Sequence, residues 1–334
     1  MKLHILGSYL GIAIACSAHA TDRLVPSQFD TIQAAIDAAI SGDVVQIAPG
    51  TYQGPVDLKG KAITVRGTAD ASTVMVVGGD GVLRCTTNET QNTLIENLTI
   101  SGGSASAISG GGIRCVGSSP NIRSCRIVAN TAAQGGGVYF EGGTPTMSNC
   151  LIAANTASSG STAGGGMLIA GSAARVTDCL VTGNQLTLSV GNTCGSAIGG
   201  GICITGSSAV TLERTTVISN QTIVSASSAC CTNQGAGVYF GAPCNVTSCV
   251  IRENSNSGCG GNVSGAYFAV SSVYMQSSRI CGNTGTQTFG AFINLGGNTI
   301  AATCPSCAGD LNGDNQINGA DLGLLLSNWG PCPN

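Results

Sequence analysis

Residues 135–157 read GGGVYFEGGTPTMSNCLIAANTA, and variants of this stretch recur on both sides of it. Each variant opens with a pair or triplet of glycines and closes on an asparagine. Successive glycine blocks are 25 to 36 residues apart, and the closing asparagines keep nearly the same step: Asn130, Asn155, Asn184, Asn220, Asn254 and Asn283. A period of about 20–50 residues is typical of a solenoid, in which each unit buries its apolar face by stacking on its neighbours.

Two apolar columns follow the glycine blocks. In the quoted stretch they are represented by Val138 and Phe140, which directly follow the block and lie two residues apart. Side chains two apart in a strand point to the same face, so both columns are predicted to face the interior. About nine or ten coils at ~4.8 Å per strand would give a rod about 45 Å long. Glycine permits positive φ at corners and asparagine tolerates the left-handed conformation, so both columns are predicted to be structural.

The segment before the repeats reads PSQFDTIQAAIDAAISGDVVQIAPGTYQGPVDLKGKAITVRG. A short amphipathic helix over residues 32–39, capped by Asp30 or Thr31, is predicted to precede residues that alternate at strand period. This segment resembles the capping helix and first coil of right-handed parallel β-helix proteins, the pectin-lyase-like superfamily. The GGG…N repeats also resemble those of polymorphic outer-membrane proteins. The resemblance implies an all-β fold, a right-handed parallel β-helix solenoid over residues 21–302 with a short N-terminal capping helix.

Residues 1–20 are typical of a secretory signal peptide, with Lys2, an apolar run and the small-residue end Ala18-His19-Ala20. A membrane anchor and a lipid-anchored Cys16 are the weaker alternatives. Cleavage after residue 20 removes both histidines, which excludes histidine-based catalysis. It also leaves 16 cysteines, an even number, so disulfide bonds are favoured over zinc sites. We therefore expect a secreted or cell-surface protein without a membrane span.

The composition argues against two other classes of protein. Fifty glycines disfavour a helix-rich fold. The formal net charge is −3, 9% of the residues are charged, and no basic run exists, so nucleic-acid binding has no electrostatic basis.

The cysteines fall partly into columns. Four of them lie five residues before a closing asparagine: Cys125, Cys150, Cys179 and Cys249. Stacked neighbours there would lie near disulfide reach, but an inward ladder of reduced thiols fits the spacing equally well. Better disulfide candidates are Cys85 with Cys115, and the loop cysteines Cys194, Cys230, Cys231 and Cys259. The pairing stays open at this point.

Residues 303–334 change character and contain a candidate calcium loop. Oxygen-bearing side chains recur at alternate positions and a carboxylate closes the loop, which suits a hard cation with six or seven oxygen ligands. The candidate ligands are Asp310, Asn312, Asp314, Gln316, Asn318 and Asp321. Leu322, Leu325, Leu326 and Trp329 then follow at helical spacing.

This tail resembles half of a dockerin type I module, and it has one calcium repeat where a full dockerin has two. The resemblance implies calcium as a cofactor and a cohesin-like or cell-surface partner. Cys332 is predicted to pair with Cys304 or Cys307.

The catalytic residues remain unknown. The acids between residues 101 and 300 are predicted to lie in different columns, with no pair placed to share a proton: Glu141, Asp178, Glu213 and Glu253. The residue between the two inward columns faces outward, and its copies are Arg84, Arg114, Tyr139, Leu168, Cys203, Tyr239, Tyr267 and Phe292. Exposed rings on a flat sheet can stack on sugars, so Tyr139, Tyr239, Tyr267 and Phe292 are candidate carbohydrate-binding residues. The alternative is that the long loops after Asn184 and Asn220 cover this face.

We therefore expect a secreted β-helix protein that binds or processes extracellular polysaccharide, with a dockerin-like calcium-binding tail for attachment or sorting. If it is an enzyme, the resemblance implies a polysaccharide lyase or an O-glycosyl hydrolase. The competing hypothesis is a non-catalytic structural surface protein or adhesin-like repeat protein.

Overall fold

The computed structural model describes residues 20–158, 164–190, 195–226, 232–258 and 263–304. Within these ranges the chain consists almost entirely of short parallel strands, which stack coil upon coil into four sheets. The all-β solenoid expected from the repeats is confirmed. No helix in the described ranges is long and apolar enough to cross a membrane.

The six coils between residues 94 and 268 pass through the sheets in the order A, B, C and D, and the described coils before and after them have no strand in sheet C. Sheet A comprises Asp22–Val25, Val44–Ile47, Thr64–Gly67, Leu94–Glu96, Asn121–Arg123, Thr146–Ser148, Arg175–Thr177, Val210–Glu213, Cys244–Thr247, Val273–Gln276 and Ile293–Asn294. Sheet B comprises Gly50–Gln53, Val74–Val77, Thr99–Ser101, Arg126–Val128, Leu151–Ala153, Leu180–Thr182, Thr216–Ile218, Val250–Arg252, Arg279–Cys281 and Thr299–Ala301.

Sheets C and D follow the asparagine corner of each coil. Sheet C comprises Ser104–Ser109, Thr131–Gln134, Thr156–Ser158, Gln185–Val190, Gln221–Ala226 and Ser255–Gly258. Sheet D comprises Val56–Asp57, Leu83–Cys85, Ile113–Val116, Val138–Glu141, Met167–Ala170, Ser196–Ile198, Ile202–Thr205, Thr232–Gln234, Val238–Gly241, Val263–Phe268 and Thr286–Phe289.

A single α-helix, Ile32–Ala38, lies at the N-terminal end of the solenoid, and a 3-10 turn spans Ala71–Thr73 within the described residues. Of the two residues proposed to cap the helix, Thr31 does so: its hydroxyl accepts a hydrogen bond from the Ala34 N–H at 3.1 Å. The helix buries Ile32, Ala35 and Ile36 in the main core. It therefore occupies the place expected of a capping helix.

The closing asparagines form a buried column between sheets B and C. The side-chain amides of the first five donate to the side-chain oxygen of the asparagine one coil further along, at 2.9 to 3.0 Å, and that of Asn283 donates to the Gln287 side chain at 2.9 Å. The accepting asparagine oxygen also accepts the backbone N–H of the preceding asparagine. The positive φ expected at these asparagines lies instead at the residue before them, for example Ala129 and Ala154. The column therefore stabilises the corner through hydrogen bonds.

The glycine blocks combine turn geometry with close approach. Gly135 has a φ of +57°, a conformation that favours glycine. A Cβ at Gly137 would lie 2.7 Å from the Asn155 side-chain nitrogen and 2.8 Å from the Gly166 carbonyl oxygen. Neighbouring coils thus come too close at this block for any side chain.

The inward columns form the core as predicted. Val138 and Phe140 are fully buried, and the ring of Phe240 stacks on Phe268 with centroids 5.1 Å apart. The last coil departs from the prediction, because Ala291 and Ile293 are exposed rather than inward.

Within the described residues one disulfide bond is present, between Cys281 and Cys304, with Cα atoms 4.9 Å apart. Because Cys304 is bonded to Cys281, it is not available to Cys332, and of the two predicted partners of Cys332 only Cys307 is left. Cys85 and Cys115 lie in register on neighbouring strands, yet both are free, so the bond expected between them is wrong. In-register side chains on parallel strands run side by side instead of turning toward each other, which is unfavourable for disulfide geometry.

The cysteine column beside sheet B is a ladder of reduced thiols, one of the two alternatives left open by the sequence. Cys125, Cys150, Cys179 and Cys249 are all buried and free. The first three hold their sulfur atoms 3.2 to 3.3 Å from the carbonyl oxygen two residues earlier. Burial raises the pKa of the Cys150 thiol, and it raises that of Cys249 to about 11, so these two thiols contribute packing and are not nucleophilic.

Candidate functional site

The outward-facing side chains of sheet D stack into one column along the solenoid. Strand register places in it Arg84, Arg114, Tyr139, Leu168, Cys203, Tyr239, Tyr267 and Phe289. We call this set the outward column. Seven of its members were predicted from the spacing of the glycine blocks, and the eighth was not.

Phe292 does not lie in this column, so its predicted place there is wrong. The last strand of sheet D ends at Phe289, before Gly290, and register pairs Tyr267 with Phe289. Phe292 instead packs against the core, with its ring centroid 5.0 Å from that of Phe268. The alternating run Thr-Gln-Thr-Phe before Gly290 was the available sequence signal for this strand.

The middle of the outward column is buried. Tyr139 is 9% exposed, Leu168 3% and Cys203 0%, and all three pack with Ile198. Ile198 ends a short strand contributed by the long segment after Asn184. The prediction that long loops cover this face is therefore correct for the middle of the column.

We call the covering structure the side lobe, and it comprises residues 185–190, 195–198, 221–226 and 232–234. Its strands pair with each other in parallel, Gln185–Val190 with Gln221–Ala226 and Ser196–Ile198 with Thr232–Gln234. The lobe has a small core of its own: Leu186, Leu188, Ala197 and Val224, together with Ala157 of the preceding coil. It is a folded extension of sheets C and D.

Both the hydroxyl and the ring of Tyr139 have contacts within the protein. Its hydroxyl donates to a Glu141 carboxylate oxygen at 3.0 Å, and the Arg114 guanidinium lies 5.4 Å from its ring centroid. Burial, reinforced by Glu141, raises the pKa of Tyr139 to about 12. Tyr139 is therefore a structural residue, and its prediction as a carbohydrate contact is not supported by this environment.

The C-terminal end of the column is open, and we call Tyr239, Tyr267 and Phe289 the aromatic ladder. The ring centroids of Tyr239 and Tyr267 are 5.4 Å apart, and those of Tyr267 and Phe289 are 5.0 Å apart. The two tyrosines are half-buried, whereas Phe289 is 55% exposed. Burial raises the pKa of Tyr239, so it remains neutral at physiological pH.

The orientation of these rings differs from the expected platform of exposed faces. Because the ring planes are within 10° and 19° of parallel, Tyr267 is sandwiched between its two neighbours. The ladder therefore presents ring edges to solvent, and Phe289 has one face free of the stack. Across the described part of the chain, the hydroxyls of Tyr239 and Tyr267 have no protein partner, and neither is buried.

The four acids between residues 101 and 300 all have partners. Glu141 is bound by Tyr139, as described above. Asp178 forms a two-pronged ion pair with Arg214 at 2.6 and 2.9 Å, and Glu213 contacts both Arg214 and Arg175. Glu253 pairs with Arg252 at 2.6 Å.

Asp178 and Glu213 thus meet on one guanidinium, although the sequence predicted separate columns for them. Asp178 and Arg214 lie at the same position of the repeat, so they are neighbours on successive coils. Glu213 directly precedes Arg214, and it therefore reaches the same guanidinium although its own repeat position differs from that of Asp178. Arg214 lowers the pKa of Asp178, the opposite of what a general acid requires. Asp178, Glu213, Arg175 and Arg214 consequently form an ion-pair network at the corner where sheet A ends.

A comparison with known protein families decides the identity of the fold. The right-handed beta helix region family matches residues 68–304. This chain belongs to the right-handed β-helix family. A search of curated proteins found no match for this β-helix protein.

Solved structures similar to this β-helix protein include two pectin methylesterases. The enzyme from Aspergillus niger is 12% identical, with 95% of this chain and 97% of that chain covered and a TM-score of 0.45. The enzyme from carrot is 13% identical, with coverage of 90% and 91% and a TM-score of 0.43. An alginate lyase from a Paenibacillus species is 11% identical, with coverage of 84% and 99% and a TM-score of 0.35. At such identities and scores we transfer neither activity nor substrate to this chain.

Several predicted sites lie outside the described residues. They are the signal peptide, the calcium loop over residues 310–321, and Cys194, Cys230, Cys231, Cys259, Cys307 and Cys332. Within the residues described for this β-helix protein, no group of three or more histidine, cysteine, aspartate or glutamate side chains could hold a metal ion.

Proposed function

We propose that this β-helix protein is exported and binds extracellular polysaccharide, and that the aromatic ladder is its glycan contact. The observation that carries the proposal is the ladder itself, three stacked rings on a parallel sheet, of which Phe289 is 55% exposed and the two tyrosines are half-buried. Aromatic rings with polar tips suit ligands that are partly apolar and partly hydrated. A sugar chain is such a ligand, because each sugar has apolar C–H surfaces and hydroxyl edges.

The geometry of the ladder suggests how a glycan would be held. The hydroxyls of Tyr239 and Tyr267 can exchange hydrogen bonds with successive sugar hydroxyls, while the ring edges contact C–H groups. The free face of Phe289 can stack on one sugar ring. A chain lying along the solenoid axis would meet the rings at intervals of 5.0 to 5.4 Å.

Binding is better supported than cleavage. A glycosidase of the usual type needs one carboxylic acid with a raised pKa and a second, free carboxylate nearby. Here Asp178 and Glu213 are both held by Arg214, and Arg214 lowers the pKa of Asp178. We therefore propose a binding protein and not a lyase or hydrolase.

We also propose that the tail binds calcium and attaches the protein to a cohesin-like or cell-surface partner. The support is the donor set of residues 310–321, whose carboxylate and amide oxygens are the ligands that calcium prefers. Isothermal titration of the full chain should detect calcium uptake, and Asp310→Ala should abolish it. Uptake that is absent in the wild type, or unchanged by Asp310→Ala, would contradict this part of the proposal.

Glycan binding is tested on a polysaccharide array with the full chain. We expect Tyr267→Ala and Tyr239→Ala each to weaken binding about tenfold, as for a central aromatic contact. Tyr274→Ala is the matched control, because Tyr274 is a 42% exposed tyrosine on sheet A and lies outside the ladder. It should bind like the wild type.

An array with no glycan bound by the wild type would overturn the proposal and favour the competing hypothesis of a structural surface or adhesin-like protein. Equal losses in Tyr267→Ala and Tyr274→Ala would also count against the ladder, because the effect would then not be specific to it.

A further inference from the structure

A continuous groove runs along the corner between sheets A and B, a part of the solenoid that does not include the outward column. It consists of three adjoining depressions with volumes of about 270, 480 and 610 Å³. The first two share Asn97 and Thr68, and the last two share Asn149 and Leu151. From the strand of Gln46 to the strand of Glu213 the groove crosses six strand spacings, a length of about 29 Å.

One wall of the groove carries a row of uncommitted polar side chains. Asn97, Ser124 and Asn149 occupy the same corner position in three successive coils, with φ values of +56°, +53° and +52°. Their backbone N–H groups bond to the next coil, but their side chains have no partner within the described protein. The left-handed corner therefore holds three amide or hydroxyl groups in line, one per coil.

The opposite wall is partly apolar. Leu151 and Leu180 are in register on neighbouring strands of sheet B, and both line the groove. Leu180 is 39% exposed, which is a cost that an apolar ligand surface would relieve. The groove thus offers hydrogen-bonding groups on one side and hydrocarbon on the other.

The charges along the groove are balanced. Each depression is lined by one carboxylate and one arginine: Arg66 with Glu96, Arg126 with Asp70, and Arg214 with Asp178. The first pair lies at 3.9 Å and the third at 2.6 Å. Hydrogen bonds from Ser72, together with the charge of Arg126, lower the pKa of Asp70, so that carboxylate is ionised at neutral pH. A strongly charged polymer would gain little net attraction here.

We propose that this corner groove is a second binding site, for a neutral, hydroxyl-rich linear polymer. Its length suits a chain and not a small molecule. Its polar row suits sugar hydroxyls, its leucine wall suits the C–H face of a sugar, and its balanced charge disfavours polyuronates. The groove does not use the aromatic ladder, so the two sites can be tested separately.

The test uses the full chain with a soluble mixed-linkage β-glucan and a galactomannan as neutral probes, and polygalacturonate as the acidic probe. The main variant is Asn97→Gly with Asn149→Gly, because glycine keeps the left-handed backbone while removing the amide. Two lost hydrogen bonds should weaken neutral-probe binding about tenfold in affinity electrophoresis. Leu180→Thr, at an exposed site on the other wall, should weaken it about threefold.

Two controls separate this proposal from the ladder. Asn245→Gly changes an exposed asparagine of sheet A outside the groove and should bind like the wild type. Tyr267→Ala should leave the binding that depends on Asn97 and Asn149 in place. Neutral-probe binding that is unaffected by the double glycine variant would overturn the proposal, and so would tighter, salt-dependent binding of polygalacturonate.

Discussion

The outward column of sheet D has the same strand geometry throughout, yet its middle is sealed and its C-terminal end is open. Tyr139 and Leu168 lie beneath Ile198 of the side lobe, whereas Tyr267 and Phe289 reach solvent. Strand register decides which residues point outward, but the length of the segment after each asparagine decides which of them stay exposed. A surface residue of a β-helix therefore has to be judged against the loops of neighbouring coils.

The sealed half also explains the fate of its polar groups. The Tyr139 hydroxyl donates a hydrogen bond to Glu141, and the Arg114 guanidinium lies over the face of the Tyr139 ring. In the open half the tyrosine hydroxyls are left for solvent or a ligand. The comparison can be sharpened by changing one residue on each side.

We expect the largest loss of folding stability from a substitution in the sealed middle of the outward column. Leu168→Ala should lower the free energy of unfolding by about 3 kcal/mol, because it leaves a cavity under the side lobe. Phe289→Ala, at the exposed end of the same column, should change it by less than about 0.5 kcal/mol. Denaturant unfolding measures both, and equal losses would mean that the two ends of the column are equally buried.

The asparagine column has equivalent hydrogen bonds beside the sealed middle and near the open end, so it provides a reference for the stability of the two regions. Asn184→Ala should cost about 2–3 kcal/mol, since it orphans buried groups on the coils before and after it. Asn254→Ala, nearer the open end, should cost a similar amount because its bonds are equivalent. A much smaller loss for Asn254→Ala would show that the comparison reflects a weaker C-terminal half and not exposure alone.

Tyr139→Phe should cost about 1 kcal/mol at neutral pH by removing the bond to Glu141. The raised pKa of Tyr139 gives a pH signature. Its contribution is present below the unfolded pKa of about 10. It is lost as the pH rises through the folded pKa of about 12. The stability difference between wild type and Tyr139→Phe should therefore shrink between those pH values, and a difference that grows there would contradict this environment.

We expect the smallest loss of folding stability from substituting Arg114, which lies over the Tyr139 ring. Arg114→Met keeps an apolar stem over Tyr139 but removes the cation, and should cost about 0.5–1 kcal/mol. Arg84→Met is the control, since Arg84 bonds to its own loop at the Asp80 carbonyl and contacts no ring of the column. A loss in Arg84→Met as large as that in Arg114→Met would argue against a cation–ring contribution.

Much of this fold could be predicted because its repeats are local in sequence. The glycine blocks and the Val138 and Phe140 columns fixed the register of sheet D, since a period of two leaves one face for the core. The same counting failed at the last coil, where Gly290 follows the strand instead of preceding it. The prediction of a Cys85–Cys115 bond failed because the two inward side chains run side by side on parallel strands, which is unfavourable for disulfide geometry.

The candidate sites were harder to predict, because exposure is a tertiary property. Nothing near Tyr139 in the sequence indicates that Ile198 will cover it. The groove residues Asn97, Ser124 and Asn149 directly precede Leu98 and the cysteines of the thiol column, and that regularity was visible in the sequence. Their alignment in a groove depends on a left-handed corner, and the sequence indicated that conformation at the closing asparagines and not at these three positions.

Hydroxyl-radical footprinting with mass spectrometry tests the central claim most directly. In the free protein, Tyr239, Tyr267 and Phe289 should be oxidised readily and Tyr139 slowly. Adding a polysaccharide identified on the array should protect the three ladder residues and leave Tyr139 unchanged. Oxidation of Tyr139 as fast as Tyr267, or a ladder that stays unprotected when the glycan is bound, would contradict the account.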